Sequence, residues 1–222
     1  MRHSTLFYCL LFSAASQIHS VNATEPSRAK DTGASPTNTE MIETTLDQNP
    51  LLEKWTGPNG GVPPFDKIKI ADFKPGLEAA MEENLAEIIR IANDPAAPTF
   101  ENTIAAMERS GKTLDRAQTI YGIWSSSMNN DEFSAVENEM EPKLAAFSDK
   151  IVQNENLFKR IEAVYNSPEK AKLSAEQQRL SWIYYTNFIR AGARLDAKSK
   201  TRLSEINQSL AGLFTNFSQN QL

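Results

Sequence analysis

After residue 23 this sequence contains no histidine and no cysteine. Its two histidines, His3 and His19, and its one cysteine, Cys9, all lie within the first 23 residues. Structural zinc sites are built from Cys and His ligands, thiol catalysis needs a Cys, and hydrolytic triads need a His base. The chain after residue 23 therefore lacks the side chains for all three kinds of site.

Long apolar runs are also scarce, and the one that exists lies at the start. Met1 and Arg2 give a basic start, residues 5–15 (TLFYCLLFSAA) are almost wholly apolar, and the small residues of 21–23 (VNA) precede Thr24. This layout is typical of a cleavable secretory signal peptide, and the run is shorter than the roughly 20 residues that a membrane-spanning helix needs. We predict a signal peptide over 1–23 and an exported, periplasmic product without a membrane anchor.

Large apolar residues are rare in the stretch that follows, residues 24–48, which is rich in Ser, Thr, Pro, Asn and charged residues. Such a composition buries too little surface to offset the entropy lost on ordering the chain. We predict a disordered linker over 24–48.

The sequence has no strongly basic segment. The whole chain carries a net charge of −5, and removal of residues 1–23 takes away one positive charge, that of Arg2. A mildly acidic protein without Lys/Arg clusters is a poor partner for nucleic acid or an anionic membrane. A Gly-rich phosphate loop is missing too, since Gly57, Gly60 and Gly61 precede a Pro pair and indicate a turn.

From residue 72 onward the apolar residues recur in steps of three and four, which predicts helices. Asp72 is placed to cap a first helix with Pro75 in its first turn, and Thr99 a second that contains Gly111. Residues 129–131 (NND) predict the start of a third helix, which Pro142 bends or restarts. Further starts are predicted at Asn154, at the capping box Ser174–Gln177 of a helix ending at Gly192, and at Asp196.

The last predicted helix carries apolar residues at the spacing of a seam packed against a partner helix: Leu203, Ile206, Leu210, Leu213 and Phe217. No Gly, Pro or cationic turn closes it, so we expect that its natural continuation is missing. Since no segment alternates in strand fashion for more than a few residues, we predict an all-α, multi-helix domain over 49–222.

Several short strings, taken in order, resemble one known family. They are 49–52 (NPLL), 63–68 (PPFDKI), 71–75 (ADFKP), 98–104 (PTFENTI), 173–180 (LSAEQQRL), 188–193 (FIRAGA), 203–207 (LSEIN) and 217–220 (FSQN). Their order and spacing resemble the N-terminal region of the thimet-oligopeptidase-like zinc metallopeptidases, most closely the bacterial peptidyl-dipeptidases. The resemblance covers essentially all of the predicted helical domain.

The resemblance implies an almost entirely helical enzyme several hundred residues longer, whose N-terminal helices form one wall of a channel for short peptides. In that family an H-E-x-x-H helix far downstream and a further Glu bind zinc, and the Glu of the motif activates water. This sequence contains no H-E-x-x-H. We therefore assign no catalytic, cofactor-binding or metal-binding residue to it.

The resemblance thus predicts the N-terminal part of an exported zinc peptidase that removes C-terminal dipeptides from short peptides. Zinc would belong to the full-length enzyme, whose C-terminal catalytic region is missing here, and the chain alone would be inactive. The alternative is a free-standing helical module that binds peptides or proteins without enzymatic activity.

Four groups of residues admit both a functional and a structural interpretation, and for each the structural one is favoured. The string 100–103 (FENT) could contact substrate or start a helix. Trp124 with Tyr121, and Trp182 with Tyr184 and Tyr185, could line a peptide channel or pack in the core. The remaining two groups are charged. The first, Glu137, Glu139 and Glu141, could form acid–base pairs or a solvated face. The second, Arg190 and Arg194, could bind a peptide carboxylate or complement a helix dipole.

Overall fold

The computed structural model describes residues 49–58 and 61–220, so the predicted signal peptide, the predicted linker and Gly60 lie outside the described residues. The described part contains helices and no strand, apart from one isolated bridge between Thr56 and Val62. The helices are α1 (Ile70–Ala92), a π-helical turn (Phe100–Ile104), α2 (Ala105–Arg109), α3 (Lys112–Ser127), α4 (Asp131–Val152), α5 (Glu155–Asn166), a 3₁₀ helix (Pro168–Lys172), α6 (Ala175–Arg190) and α7 (Ala197–Gln219). The predicted all-α fold is confirmed. Within the described residues, no helix combines the length and hydropathy that crossing a bilayer requires.

Helix α1 lies at the centre of the core and contacts α3, α4 and α5. Its Phe73 is fully buried and packs edge-on against Trp124 of α3 and Phe133 of α4, with ring centroids 5.1 and 5.0 Å away. Tyr121 of α3 completes this aromatic cluster. Edge-to-face pairs stabilise a core beyond their buried area, so the cluster fixes these three helices relative to one another.

Most of the predicted helix starts are confirmed by their caps. The side chains of Asn130, Asn154, Ser174 and Asp196 each accept a hydrogen bond from the backbone N–H three residues on, at 2.9 to 3.3 Å. Gly192, the predicted end of α6, has a φ of 91° two residues after the helix ends. Capping depends on local sequence alone, which is why these starts are predictable.

The start of the first helix is predicted three residues too late. α1 begins at Ile70, and Asp72 is its third residue, whose carboxylate accepts a hydrogen bond from the Lys69 backbone N–H at 2.7 Å. An acidic side chain at this position supplies the N3 half of a capping box, whereas the side chain of Lys69 makes no capping hydrogen bond. Pro75 consequently lies in the second turn, and α4 runs unbroken through Pro142, so the predicted restart there is wrong.

The predicted second helix is interrupted at Gly111. Its φ of 71° is left-handed, and its N–H donates to Glu87 Oε2 at 2.7 Å. A Cβ at this position would lie 2.9 Å from Nδ2 of the buried Asn84. Gly111 therefore ends one helical segment and begins α3, because only glycine adopts this φ at little cost in so narrow a space.

Candidate functional site

The acidic residues of α4 lie in two different environments. Glu139 is exposed and pairs with Lys143 at 2.8 Å and Lys74 at 2.6 Å; these lysines lower its pKa. Glu137, in contrast, is only 5% exposed, and Glu141 is partly buried. The prediction of a solvated acidic face is wrong for these two, because a spacing of four residues places both on the same inward side of the helix.

The pair formed by Glu137 and Glu141 lies against α3 and the end of α7. Burial raises the pKa of Glu141, and the neighbouring Glu137 raises it further, while the hydroxyl of Tyr121 opposes the shift. Burial and then Glu141 also raise the pKa of Tyr121. Glu137 Oε2 accepts hydrogen bonds at 3.0 Å from Asn129 and from Gln219. The bond from Gln219 ties the end of α7 to α4.

Three of the five candidate channel aromatics are buried inside the molecule, and a fourth is partly buried against the core. Tyr121 and Trp124 belong to the core cluster around Phe73. Tyr184 is buried, and its hydroxyl donates to Glu108 Oε1 at 2.5 Å; burial and this carboxylate raise its pKa. Tyr185 is partly buried against the core, whereas Trp182 is 46% exposed. The structural interpretation holds for every one of these side chains except Trp182.

Tyr185 belongs to a stack at the surface that the sequence does not reveal. Its ring stacks on Tyr165 of α5 with centroids 4.1 Å apart, and Lys170 Nζ lies 3.8 Å from the centroid of the Tyr165 ring. Arg194 donates to the Tyr185 hydroxyl at 2.8 Å and to Glu162 at 2.5 Å. Tyr165 is thus covered on both faces, so the stack joins α5, the 3₁₀ helix and α6 and leaves no open aromatic face for a ligand.

Of the two arginines assigned to the dipole of α6, only Arg190 lies in its last turn. Because α6 ends there, Arg194 stands outside the helix and belongs to the stack just described. The dipole interpretation is wrong for Arg194.

The string 100–103 starts a helical segment, as the structural interpretation predicts. Thr99 Oγ1 accepts a hydrogen bond from the Asn102 N–H at 3.1 Å, and Asn102 Oδ1 accepts one from the Thr99 N–H at 2.8 Å. Phe100 packs against the core, and the exposed Glu101 pairs with Arg109 at 2.8 Å. The segment is a π-helical turn, a form that the sequence pattern does not distinguish from an α-helix.

Helix α7 packs on α4, and most of the predicted seam lies outside that contact. Lys200, Ala211 and Thr215 are the buried residues of α7. The large apolar residues that stand out from the molecule form the outer face of α7: Ile206, Leu210, Leu213, Phe214 and Phe217, which are 39 to 64% exposed. The predicted seam is therefore not the contact with α4.

Among the described residues, no three His, Cys, Asp or Glu side chains lie close enough together to hold a metal ion. The arrangement offers a buried acid pair, a closed aromatic stack and an exposed apolar helix face.

Comparison with known proteins identifies relatives over most of this length. The chain is 34% identical over 177 residues to the dipeptidyl carboxypeptidase of Salmonella typhimurium, a match covering 80% of this chain and 26% of that protein. The dipeptidyl carboxypeptidase of Escherichia coli is 33% identical over 174 residues, 78% of this chain and 25% of that protein. The chain is a homologue of the thimet-oligopeptidase-like peptidases.

A more distant relative in plants supports the same assignment. The organellar oligopeptidase A of Arabidopsis thaliana is 25% identical over 185 residues, which are 82% of this chain and 22% of that protein. No protein-family model matches the chain. The chain spans about a quarter of the length of these curated relatives.

Proposed function

We propose that this chain is the N-terminal part of an exported zinc metallopeptidase that removes C-terminal dipeptides from short peptides. The observation that carries the proposal is the 34% identity over 177 residues to a protein named dipeptidyl carboxypeptidase. In this proposal the helices described above form one wall of the substrate channel, and short peptides are the substrate class.

The residues of this chain do not fit the zinc site that the family implies. Such a site uses two His of an H-E-x-x-H helix and a further Glu, and after residue 23 the sequence contains no His. We therefore assign zinc, and the attack of water on the peptide bond, to a catalytic region that this chain does not include. The chain itself contributes a helical surface built on the core around Phe73.

The proposal includes export to the periplasm. It is supported by the basic start, the apolar run of residues 5–15 and the small residues before Thr24, the layout of a cleavable signal peptide. N-terminal sequencing of the protein recovered from the periplasm should give a first residue at or near Thr24. Recovery of the uncleaved chain from the cytosol would contradict this part of the proposal.

The decisive experiment is to sequence the DNA that follows the codon of Leu222. A reading frame encoding H-E-x-x-H with a further downstream Glu, in the same or a shifted frame, is the expected result. A long unrelated region would contradict the proposal. In that case, calorimetric titration of the purified chain with short peptides tests the binding-module alternative, which requires measurable heat.

A further inference from the structure

Helix α7 reverses the usual arrangement of a surface helix. A helix at the surface normally buries its large apolar residues and exposes its polar ones. In α7 the buried residues are Lys200, Ala211 and Thr215, whereas Leu213 and Phe217 are 64% and 61% exposed. The side of the helix that is turned away from the rest of the domain therefore carries large apolar side chains, which normally pack in a protein interior.

Polar contacts with α4 hold α7 in this orientation. Asp149 of α4 is buried, and its carboxylate accepts hydrogen bonds from Ser204 Oγ at 2.5 Å and Asn207 Nδ2 at 2.8 Å. Near the other end of α7, Gln219 Nε2 donates to the Ser134 carbonyl at 3.1 Å. Rotation of α7 to bury its outer face would break these bonds and leave a buried carboxylate without donors. The exposure of the apolar side chains is thus built into the α4–α7 contact.

The outer face extends beyond α7 at its N-terminal end. Leu195, in the turn before the helix, is 42% exposed. A Cβ on Gly192 would lie 2.7 Å from Leu203 Cδ2 and 2.9 Å from Leu195 Cδ1, so these two leucines lie together beside Gly192. From Ile206 to Phe217 the face runs about 17 Å along the helix. A continuous apolar strip of this length is typical of an interaction surface.

The distribution of charge along α7 favours a protein as the partner of its outer face over a membrane or nucleic acid. From residue 206 to residue 222 the sequence contains no Asp, Glu, Lys or Arg, while residues 198–205 contain Lys198, Lys200, Arg202 and Glu205. Helices that lie on a membrane surface carry Lys and Arg on their polar side, and nucleic acid is bound by basic residues. Depletion of charge is instead a property of the core of a protein–protein interface, above all a permanent one.

We propose that the outer face of α7 is the surface on which the catalytic region of the same enzyme packs. The inference rests on the proposed function and names the surface that joins its two parts. The length of the relatives indicates what covers this face, because the matched proteins from Salmonella and Escherichia coli have about three quarters of their sequence outside the match. A permanent, uncharged interface is the form expected between two parts of one enzyme.

The test uses the mature chain and, as probe, a tagged Escherichia coli dipeptidyl carboxypeptidase from which the matched quarter is deleted, co-expressed and purified together. The chain should be retained with the probe, and the triple substitution Leu210→Ser, Leu213→Ser, Phe217→Ser should lower retention at least tenfold. The single substitution Phe214→Ser should give a smaller loss. The matched control, Arg202→Gln with Glu205→Gln, changes exposed charged residues of the same helix and should leave retention unchanged. Circular dichroism of each variant checks that α7 remains helical.

Three results would overturn the inference: no retention of the wild-type chain, equal retention of the triple variant, or a discrete dimer of the wild-type chain that the triple substitution converts to monomer. The dimer would identify a second copy as the occupant. If the downstream DNA encodes H-E-x-x-H and the triple variant is still retained, this inference fails while the proposed function stands. If that motif is missing downstream, the proposed function itself fails.

Discussion

At the scale of single residues, the environment of a glutamate on α4 depends on which side of the helix it occupies. Glu139 faces solvent between Lys143 and Lys74, and Glu137 and Glu141, two residues to either side, face inward toward Tyr121. The same residue type therefore has a lowered pKa in Glu139 and a raised pKa in Glu141. The cause in the first case is hydrogen bonding to ammonium groups and in the second burial.

This contrast predicts how Glu141 affects stability across pH. Its pKa is raised in the folded state from 4.5, so above pH 4.5 the unfolded state loses the proton first and unfolding is favoured. Full stability is present below pH 4.5 and declines as the pH rises to the folded pKa. We expect Glu141→Gln to be more stable than the wild type at pH 7, with the difference vanishing near pH 4. Urea unfolding at several pH values measures this.

The control for that experiment is Asn138→Gln, which changes an exposed residue of the same helix. Because this substitution removes no titratable group, its stability relative to the wild type should not change between pH 4 and pH 7. A Glu141→Gln variant whose stability relative to the wild type does not change with pH would contradict the raised pKa.

A second prediction at this scale concerns two glycines of neighbouring segments. Gly111 has a φ of 71° and lies against Asn84, so Gly111→Ala should lower the free energy of unfolding by more than about 1 kcal/mol. Gly122 lies within α3 with open space around its Cβ position, so Gly122→Ala should raise it by about 0.5 to 1 kcal/mol. Denaturant unfolding of both variants checks the opposite signs. Equal effects would show that the left-handed φ is not needed at Gly111.

At the scale of helices, the sequence predicts where most elements begin but not how they pack. Asn154 and Asp196 cap their helices through bonds to residues three positions on, and such local rules can be read directly. The apolar spacing of α7 also correctly groups the residues of its outer face. Spacing does not state which face meets a neighbour, and the contact with α4 depends on Asp149, 55 residues away from its partner Ser204.

The α4–α7 contact gives a prediction at this scale. Asp149→Ala removes a buried acceptor and leaves Ser204 and Asn207 without their partner, which should lower the free energy of unfolding by about 1 to 3 kcal/mol. Hydrogen exchange of the α7 amides should accelerate more than that of the α1 amides, because α1 is also held by its contacts with α3 and α5. Asp66→Ala, at an exposed position, is the control. Unchanged exchange in α7 would contradict a role of Asp149 in holding this helix.

At the scale of the whole molecule, composition indicates which side chains are available for chemistry but not which contacts form. The lack of His and Cys after residue 23 is sufficient to remove the zinc ligands of the family. The stack of Tyr165, Tyr185 and Lys170, in contrast, brings together three segments, and no local pattern relates them. Likewise, Arg160 of α5 fixes the loop after α1 through the Asp94 carbonyl at 2.7 Å, a contact between residues 66 positions apart.

The same composition gives the last prediction, on metal binding and catalysis by the chain alone. Zinc bound by carboxylates and water only is held weakly, since proteins build tight zinc sites from His and Cys. The purified mature chain should therefore retain no stoichiometric zinc after dialysis, as measured by atomic absorption. It should not cleave a short blocked peptide, and added zinc should not change its melting temperature. The chain separated from its complex with the tagged probe of the α7 test should likewise retain no stoichiometric zinc and cleave no short blocked peptide. Hydrolysis by the pure chain that a chelator abolishes would show that the chain holds a catalytic metal site of its own.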